Sequence, residues 1–553
     1  MAASRSLGIA YPSSSLLTSG SSSLETISRT ECRVETGVRA VPVPRGIVLQ
    51  AHHGLSSFEA FESSSDFSEL SNLRRNGQGR VLGFGRKAAK ICASVSGVGE
   101  APKKVKQLIL KPPLSDTNLA ERILSSPQLQ LKAFPLLSAC LPIVNLNKLD
   151  QEWMDEYLLD AKDALGYSVE ILEAPQDSPA SHLDSLLFLS FQHKFSKRGR
   201  TKLVGIGHSR LAFLGQFVVE QALAELLLQM FPRERVGSLR ERLFNVTNKK
   251  VLPKWFYTAS LVEILFPPEE TERLKRDEVQ LASRSVFWAL VAATYLCLGM
   301  PEVYRLLFDV FKIDLETPEA QPKPRVGLPD EDYLSPELDR KLTWREIAAY
   351  QAPEDSLFSC PRLFRACVPP GMHRFRGNEW EILSLPKVLE ALDYPRPVQD
   401  RLPEFTEARN IELELGLQLC FLHPSKYKGD HPRFCFDRLE YVGQKIQDVI
   451  LAEQLLMKHL DGPAVWLERK HRLQLMNRLC GRTLREKKLT WHIIYDDERK
   501  ELFEKNRRLR NFATTSVHHS LHGLGYLVYG RGEVRRLMSK VFPVDHLIPP
   551  NYL

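Results

Sequence analysis

The chain has no Cys-x-x-Cys pair, and its nine cysteines show no short spacing of the kind that zinc sites or disulfide frameworks use. Reduced, buried thiols in a reducing compartment are therefore expected, and no bound metal. No window offers about 18 uninterrupted apolar residues, so no transmembrane helix is expected. No long apolar run follows Met1, which argues against a secretory signal. Charge excess is also small, +8 over 553 residues. Residues 1–93 hold 11 Lys/Arg against 7 Asp/Glu, which is +4, and the remainder carries only the other +4. Binding to nucleic acid must then rest on clustered cations and not on net charge. The apolar share of 43% and charged share of 26% are those of a globular protein.

What the chain does have begins with serine. Residues 1–30 hold ten of them, and the first acid is Glu25. Arg86-Lys87-Ala88-Ala89-Lys90-Ile91-Cys92-Ala93-Ser94 places small residues after a basic patch. This is transit-peptide composition, with 1–93 as transit peptide or disordered tail. Serine richness without an arginine-rich amphipathic helix favours the chloroplast over the mitochondrion.

Residues 94–180 are expected to form a helical preamble. Asp150 can cap a helix running to Leu165, with Trp153, Tyr157, Leu158, Ala161 and Leu165 on one face and Gly166 as its stop. A first repeat occupies 181–314, a proline-rich linker 315–336, a second preamble 337–400 and a second repeat 401–553.

The repeat rests on three blocks in the same order. Arg210-Leu211 and Gly215-Gln216 answer Arg438-Leu439 and Gly443-Gln444, at an offset of 228. The run Gly299 to Phe311 answers Gly530 to Phe542, with seven of thirteen positions identical at an offset of 231. Phe191-Gln192-His193 answers Phe421-Leu422-His423. A period of this length means duplicated domains and not a solenoid. Both signature helices run on into apolar sequence, Val218 to Met230 and Ile446 to Leu460. The first is apolar nearly all round, as in a helix buried in a core or interface.

These blocks resemble the endonuclease domain of ribonuclease III. Arg210-Leu211-Ala212-Phe213-Leu214-Gly215 and Arg438-Leu439-Glu440-Tyr441-Val442-Gly443 follow its signature helix, Glu-Arg-Leu-Glu-Phe-Leu-Gly-Asp. Ala289-Leu290-Val291-Ala292-Ala293 and Ser520-Leu521-His522-Gly523-Leu524 follow its second motif. The resemblance implies an all-α fold of two tandem domains that pair as an intramolecular pseudo-dimer through their signature helices.

It also implies a chemistry that the residues no longer support. Enzymes of that family use Mg²⁺ held by four acids per domain, and Mg²⁺ needs anionic oxygen ligands. The first repeat has Ser209, Ala212, Gln216, Ser285 and Trp288 at the motif positions. The second keeps Asp437 and Glu440 but has Gln444, Ser516 and His519 elsewhere. Catalysis is expected to be lost in both, with no catalytic residue, metal or cofactor. Asp437 and Glu440 are then expected in salt bridges, with Arg438 or Arg433 as partners. His193 and His423 are expected as packed core histidines, and Gly215 and Gly443 as points of close helix approach.

A basic surface remains. Residues 469–510 contain 14 Lys/Arg against 6 acids. Arg469, Lys470, Arg472, Arg478, Arg482, Arg485, Lys487, Lys488, Arg507, Arg508 and Arg510 are the expected RNA contacts, since phosphate contacts dominate affinity. Arg362, Arg365, His373, Arg374 and Arg376 form a second, weaker group.

With a transit peptide and two degenerate domains, the chain looks like the plant chloroplast branch of this family, which assists group II intron splicing. That resemblance implies a non-enzymatic stromal protein in ribonucleoprotein particles, with structured intron RNA and other chloroplast splicing factors as partners and no membrane. Two other readings stay open: a residual metal-dependent endonuclease acting on double-stranded RNA, and a protein of the organellar ribosome or of ribosomal RNA processing.

Overall fold

The computed structural model describes residues 135–544, except 142–147, 168–177, 194–201, 249–251, 267–273, 317–337, 339, 351–355, 396–402 and 427–433. The transit-peptide reading, Arg433 and nearly all of the linker thus lie outside the described residues.

The first half runs α1 (Pro135–Cys140), α2 (Lys148–Ala164), α3 (Leu183–Phe191), α4 (Lys202–Met230), α5 (Val236–Thr247), α6 (Leu252–Thr258), α7 (Leu261–Leu265), α8 (Arg276–Leu298) and α9 (Met300–Arg305). The second half runs α10 (Trp344–Ala348), α11 (Pro361–Cys367), α12 (Glu379–Leu383), α13 (Leu385–Leu392), α14 (Pro403–Phe421), α15 (Asp437–Lys458), α16 (Ala464–Gln474), α17 (Asn477–Glu486), α18 (Asp497–Lys505), α19 (Arg507–Tyr529) and α20 (Arg531–Arg536). Among the described residues no strand forms, and the β pairing present is an isolated parallel bridge between Leu422 and Ile494. The fold is all-α.

Within each repeat the signature helix lies along the second-motif helix, α4 on α8 and α15 on α19. Glycine makes the approach possible. A Cβ on Gly215 would sit 1.8 Å from the Trp288 carbonyl oxygen, and one on Gly443 would sit 1.9 Å from that of His519. On the opposing helix, a Cβ on Gly523 would meet the Leu439 carbonyl oxygen at 2.2 Å. The two repeats thus make the same contact with the same register. Their matched closing blocks also share a geometry. Gly299 (φ 81°) and Gly530 (φ 79°) break the chain between α8 and α9 and between α19 and α20, in a conformation that only glycine adopts cheaply. Each block then ends in a single π-helical turn, Leu306–Val310 and Leu537–Val541.

The signature helices also pack on each other, α4 against α15. This explains why α4 is apolar all round: α8 covers one side, and α15, α10 and α11 cover others. Ile206–Met230 and Arg276–Leu298 are long and apolar enough to cross a membrane by length and composition, but burial inside the fold accounts for their apolarity.

The contacts across the centre are reciprocal. Buried Arg210 donates from Nη2 to the Leu456 carbonyl at 2.8 Å and from Nη1 to those of His459 at 2.7 Å and Gly462 at 2.9 Å. Buried Arg438 donates from Nη2 to the carbonyls of Pro232 and Glu234, both at 2.6 Å. Each signature arginine therefore serves the carbonyls at or just beyond the C-terminus of the other repeat's signature helix, where helical partners run out and a cation is favoured. Each also binds its own preamble, Arg210 Nε to Ala139 O at 2.9 Å and Arg438 Nη1 to Ala366 O at 3.1 Å. Farther along, Tyr526 donates to Glu225 at 2.9 Å, and Tyr295 donates to Glu453 at 2.7 Å.

The preambles thus belong to the repeat. Ala139-Cys140 at the end of α1 matches Ala366-Cys367 at the end of α11. They also cross over: α1 packs on α15 and α11 packs on α4. The longer helix of the first preamble stays with its own repeat. Trp153 donates to the Ile264 carbonyl at 3.4 Å, and Gly166 (φ 63°) follows the end of α2, as the sequence predicts.

Two outcomes test this packing. Gly443→Ala should destabilise the fold by about 1–3 kcal/mol despite the better helix propensity of alanine, because the obstructing atom is backbone and cannot swing away. Arg210→Met should cost about 3 kcal/mol or more, since it strands several buried carbonyls at once. Urea unfolding of each variant measures both; a neutral Gly443→Ala would show that the helices can separate without cost.

Candidate functional site: the motif face and a cationic surface

The positions that face each other across α4 and α8 carry no acid. Ser209 donates from Oγ to the Ile206 carbonyl at 2.9 Å, and Ala212 is buried. Ser285 Oγ lies 2.8 Å from His208 Nε2, while His208 Nδ1 lies 2.9 Å from the Ser190 carbonyl oxygen. Burial pushes His208 down to about 4, so this bridge is neutral. Trp288 is half-buried with the Arg284 guanidinium 5.0 Å above its ring. Gln216 is half-buried. This is a packed polar seam with nothing anionic in it.

The second repeat differs. Asp437 and Glu440 lie in the first turn of α15. Arg240, on α5 of the other repeat, reaches across to Glu440 at 3.2 Å and stacks over the Tyr441 ring at 5.8 Å. Burial, then the neighbouring Glu440 charge, raises the Asp437 carboxyl to about 6, against the lowering effect of Arg240. The surviving acids thus have a resident counter-cation, a guanidinium where the resemblance implies a metal. The expected partner Arg438 spends its hydrogen bonds on the carbonyls described above and acts on Asp437 only through its charge, with less effect than Arg240. Arg240 is invisible to local reading because it stands 200 residues away. His519 pairs through Nδ1 with Gln447 Oε1, and burial depresses it to about 3, so it is neutral. Gln444 and Ser516 are half-buried. Among the described residues, no three His, Cys, Asp or Glu are grouped to hold a metal ion.

The structure packs His193 and His423 into aromatic surroundings. His193 is buried edge-on to His208 with ring centroids 5.3 Å apart, and His423 sits among Phe436, Tyr495 and Phe503. The seven described cysteines are free thiols, six of them buried.

The cationic residues separate into two populations. On the surface, Arg469, Arg472, Arg478, Arg482, Lys487, Lys488, Arg507, Arg508 and Arg510 are exposed, and Arg485 is half-buried. Burial, then Arg510, Arg507 and Arg482 in turn, push the Arg485 guanidinium below its ordinary value, so four arginines from α17 and α19 share one neighbourhood. Arg485 is held by Asn511 at 3.0 Å, and Arg472 and Arg482 make exposed pairs with Glu468 and Glu486. Such pairs are worth little and open readily. Arg478, Lys487, Lys488, Arg507 and Arg510 make no ion pair among the described residues.

Lys470 must be removed from that surface. It is buried, with Nζ 4.0 Å over the Trp466 ring and 3.4 Å from His459 Nε2. Its position on the inner face of α16 decides this. The Arg362–Arg376 group divides: Arg362 is buried and Arg365 half-buried, whereas His373, Arg374 and Arg376 are exposed but engaged with neighbouring side chains. Arg362 is buried on the carbonyls of Gln229 and Arg340 at 3.0 and 2.8 Å, and Arg365 grips Glu412 with two bonds of 2.6 and 3.0 Å. His373 lies 3.9 Å from Glu412, Arg374 stacks 5.0 Å over Phe434, and Arg376 binds Glu381 and Glu414 at 3.2 and 3.1 Å.

No protein-family model matches the chain. It is 58% identical over 451 residues to the ribonuclease III domain-containing protein RNC1, chloroplastic, of Arabidopsis thaliana, covering 81% of this chain and 84% of that protein. The chain belongs to the family of chloroplastic ribonuclease III domain-containing proteins. The Zea mays member is 57% identical over 458 residues, 81% of this chain and 87% of its own length. A bacterial relative, ribonuclease 3 of Wolinella succinogenes, is 30% identical over 136 residues, 24% of this chain and 55% of that enzyme. The family resemblance read from the two motifs is therefore correct, and the plant relatives are chloroplastic.

Arg240→Ala should remove the principal counter-charge of Asp437 and Glu440. The Asp437 carboxyl, already raised to about 6 from its usual 3.8, would rise further. A raised carboxyl favours the fold when protonated and opposes it when ionised. The loss should therefore be largest at pH 8, about 1–3 kcal/mol for a partly exposed pair, and should shrink as pH falls through 6. Unfolding free energies of variant and wild type at pH 8 and pH 5 give the difference; an equal loss at both would show that the carboxylates are not its source.

Proposed function

We propose that this chain is a non-catalytic RNA-binding protein of the chloroplast stroma. It associates with structured RNA, group II introns in particular, and promotes splicing within ribonucleoprotein particles alongside other splicing factors. The observation that carries this reading is the division of charge. The motif face carries no acid in one repeat and has its two acids partly compensated by Arg240 in the other, while the arginines of α17 and α19 face solvent.

A hydrolase of this lineage needs carboxylates free to bind Mg²⁺ and a water for it to activate. Asp437 and Glu440 are two acids with a guanidinium against them, and His519 is a neutral imidazole already paired with an amide. Such a site holds charge still and activates nothing. The clustered arginines suit an A-form helix, which proteins read mainly through phosphates, 2′-hydroxyls and shape. The protein would hold the RNA in a splicing-competent arrangement, and the intron itself would supply the transesterification chemistry. Support for introns over other structured RNA comes from the resemblance to the plant branch of the family.

The joint replacement Arg482→Glu, Arg485→Glu and Lys488→Glu should weaken binding to a folded intron RNA at least tenfold, on the order expected for lost phosphate contacts. It should also flatten the dependence of log Kd on log salt by about 2–3 units. Unchanged binding would remove the RNA site from this surface. The wild-type chain with Mg²⁺ or Mn²⁺ should leave duplex RNA intact; cleavage that Glu440→Ala abolishes would overturn the non-catalytic reading.

A further inference from the structure

The 3-10 turn Leu489–His492 carries Trp491, which is 85% exposed. One exposed apolar side chain needs no explanation by itself, but two features set this one apart. The first is rigidity. Leu489 and Ile493 on either side are buried, at 1% and 8% exposure. Trp380 Nε1 donates to the His492 carbonyl at 2.7 Å, Ile494 N donates to Phe421 O at 2.8 Å, and His423 N donates to Ile494 O at 3.0 Å. Lys488 starts the turn in a left-handed conformation, φ 59°. The backbone beneath the indole is thus fixed by α12 and by the end of α14, and a partner would find it already ordered.

The second feature is charge. The run from Lys487 to Tyr495 contains Lys487, Lys488 and His492 and no acid. Lys487 and Lys488 are exposed, and the turn follows directly on α17, which carries Arg478, Arg482 and Arg485. A flat π face beside ammonium groups matches one nucleotide: the ring meets the base, the cations meet the phosphates. Ile382 and Leu383, on the neighbouring α12, are exposed too and would suit an apolar protein surface. The acid-free, cationic run around Trp491 favours the anionic polymer. Bases inside an A-form duplex are already stacked on each other, so the indole can only serve a nucleotide that is unpaired.

We propose that Trp491 is a stacking platform for an unpaired base of bound RNA, with Lys487 and Lys488 on the adjoining phosphates. The chain then grips single-stranded nucleotides next to the structured segment held by the arginines of α17 and α19. This inference rests on the RNA-binding reading above and adds a ligand class to it.

The test compares the full chain with Trp491→Ala and Trp491→Phe by fluorescence anisotropy on three probes. These are a blunt RNA duplex, the same duplex with an unpaired adenosine tail, and the duplex with an abasic tail of equal charge. The wild type should prefer the adenosine tail over the abasic one. Trp491→Ala should bring that ratio toward one, a loss of roughly 5- to 150-fold for one stacked base, and Trp491→Phe should retain part of it. An unchanged ratio in Trp491→Ala overturns the proposal and leaves the indole to a protein partner, with RNA binding intact. A wild type that binds none of the probes refutes the RNA reading itself. Because Trp491 is exposed, thermal melting should match wild type, which keeps a folding defect from imitating the result.

Discussion

Two buried guanidinium groups set the geometry of this molecule. Arg210 and Arg438 each cross to the other repeat and take up carbonyls that its signature helix leaves without partners. A buried cation is costly unless surrounded by acceptors, and here the acceptors are fixed backbone oxygens. The cost of leaving either guanidinium unpaired ties the two repeats into one register. The other central contacts follow that register: α4 on α15, the exchanged Tyr526–Glu225 and Tyr295–Glu453 bonds, and the preamble helices laid across the seam.

Packing explains why both repeats carry the same arginine and glycine. In the signature Arg-Leu-x-x-x-Gly, the arginine and glycine both face protein. Gly215 and Gly443 admit backbone at contact distance, so any side chain there forces whole helices apart. The neighbouring motif positions hold serine, alanine and tryptophan in the first repeat and aspartate, glutamate and histidine in the second, and the arginine exchange is the same in both. In the second repeat, burial makes the charge of Asp437 costly, and Arg240 offsets part of that cost.

The parts legible in the sequence were those with local or periodic signatures. The all-α class, the duplicated blocks, the stop at Gly166 and the close-approach glycines each leave a mark within a few residues. The repeat in the preambles was missed because only Ala-Cys survives of it, too little to stand out without the arginines that bind both copies. Arg240 left no mark at all, since its partner lies on the other repeat. Lys470 was misplaced because a basic run does not show which side of a helix each residue takes; α16 turns Arg469 and Arg472 outward and Lys470 onto Trp466.

The sorting of cations is the final step. Inward-facing arginines such as Arg210, Arg242, Arg362, Arg365, Arg438 and Arg536 have backbone carbonyls or carboxylates as fixed partners. These charges are neutralised by the fold and offer nothing to an outside ligand. Between Arg469 and Arg510, Lys470 apart, the cations are exposed or half-buried, and Arg482, Arg507 and Arg510 crowd Arg485 closely enough to disfavour its charge. Crowding like charges opposes folding, so such a cluster persists only where something other than the fold favours it. A polyanion relieves the repulsion on binding, whereas a small anion would satisfy one or two groups and leave the rest. The extent of the surface, from the end of α16 through α17 to the start of α19, therefore argues for an extended anionic ligand.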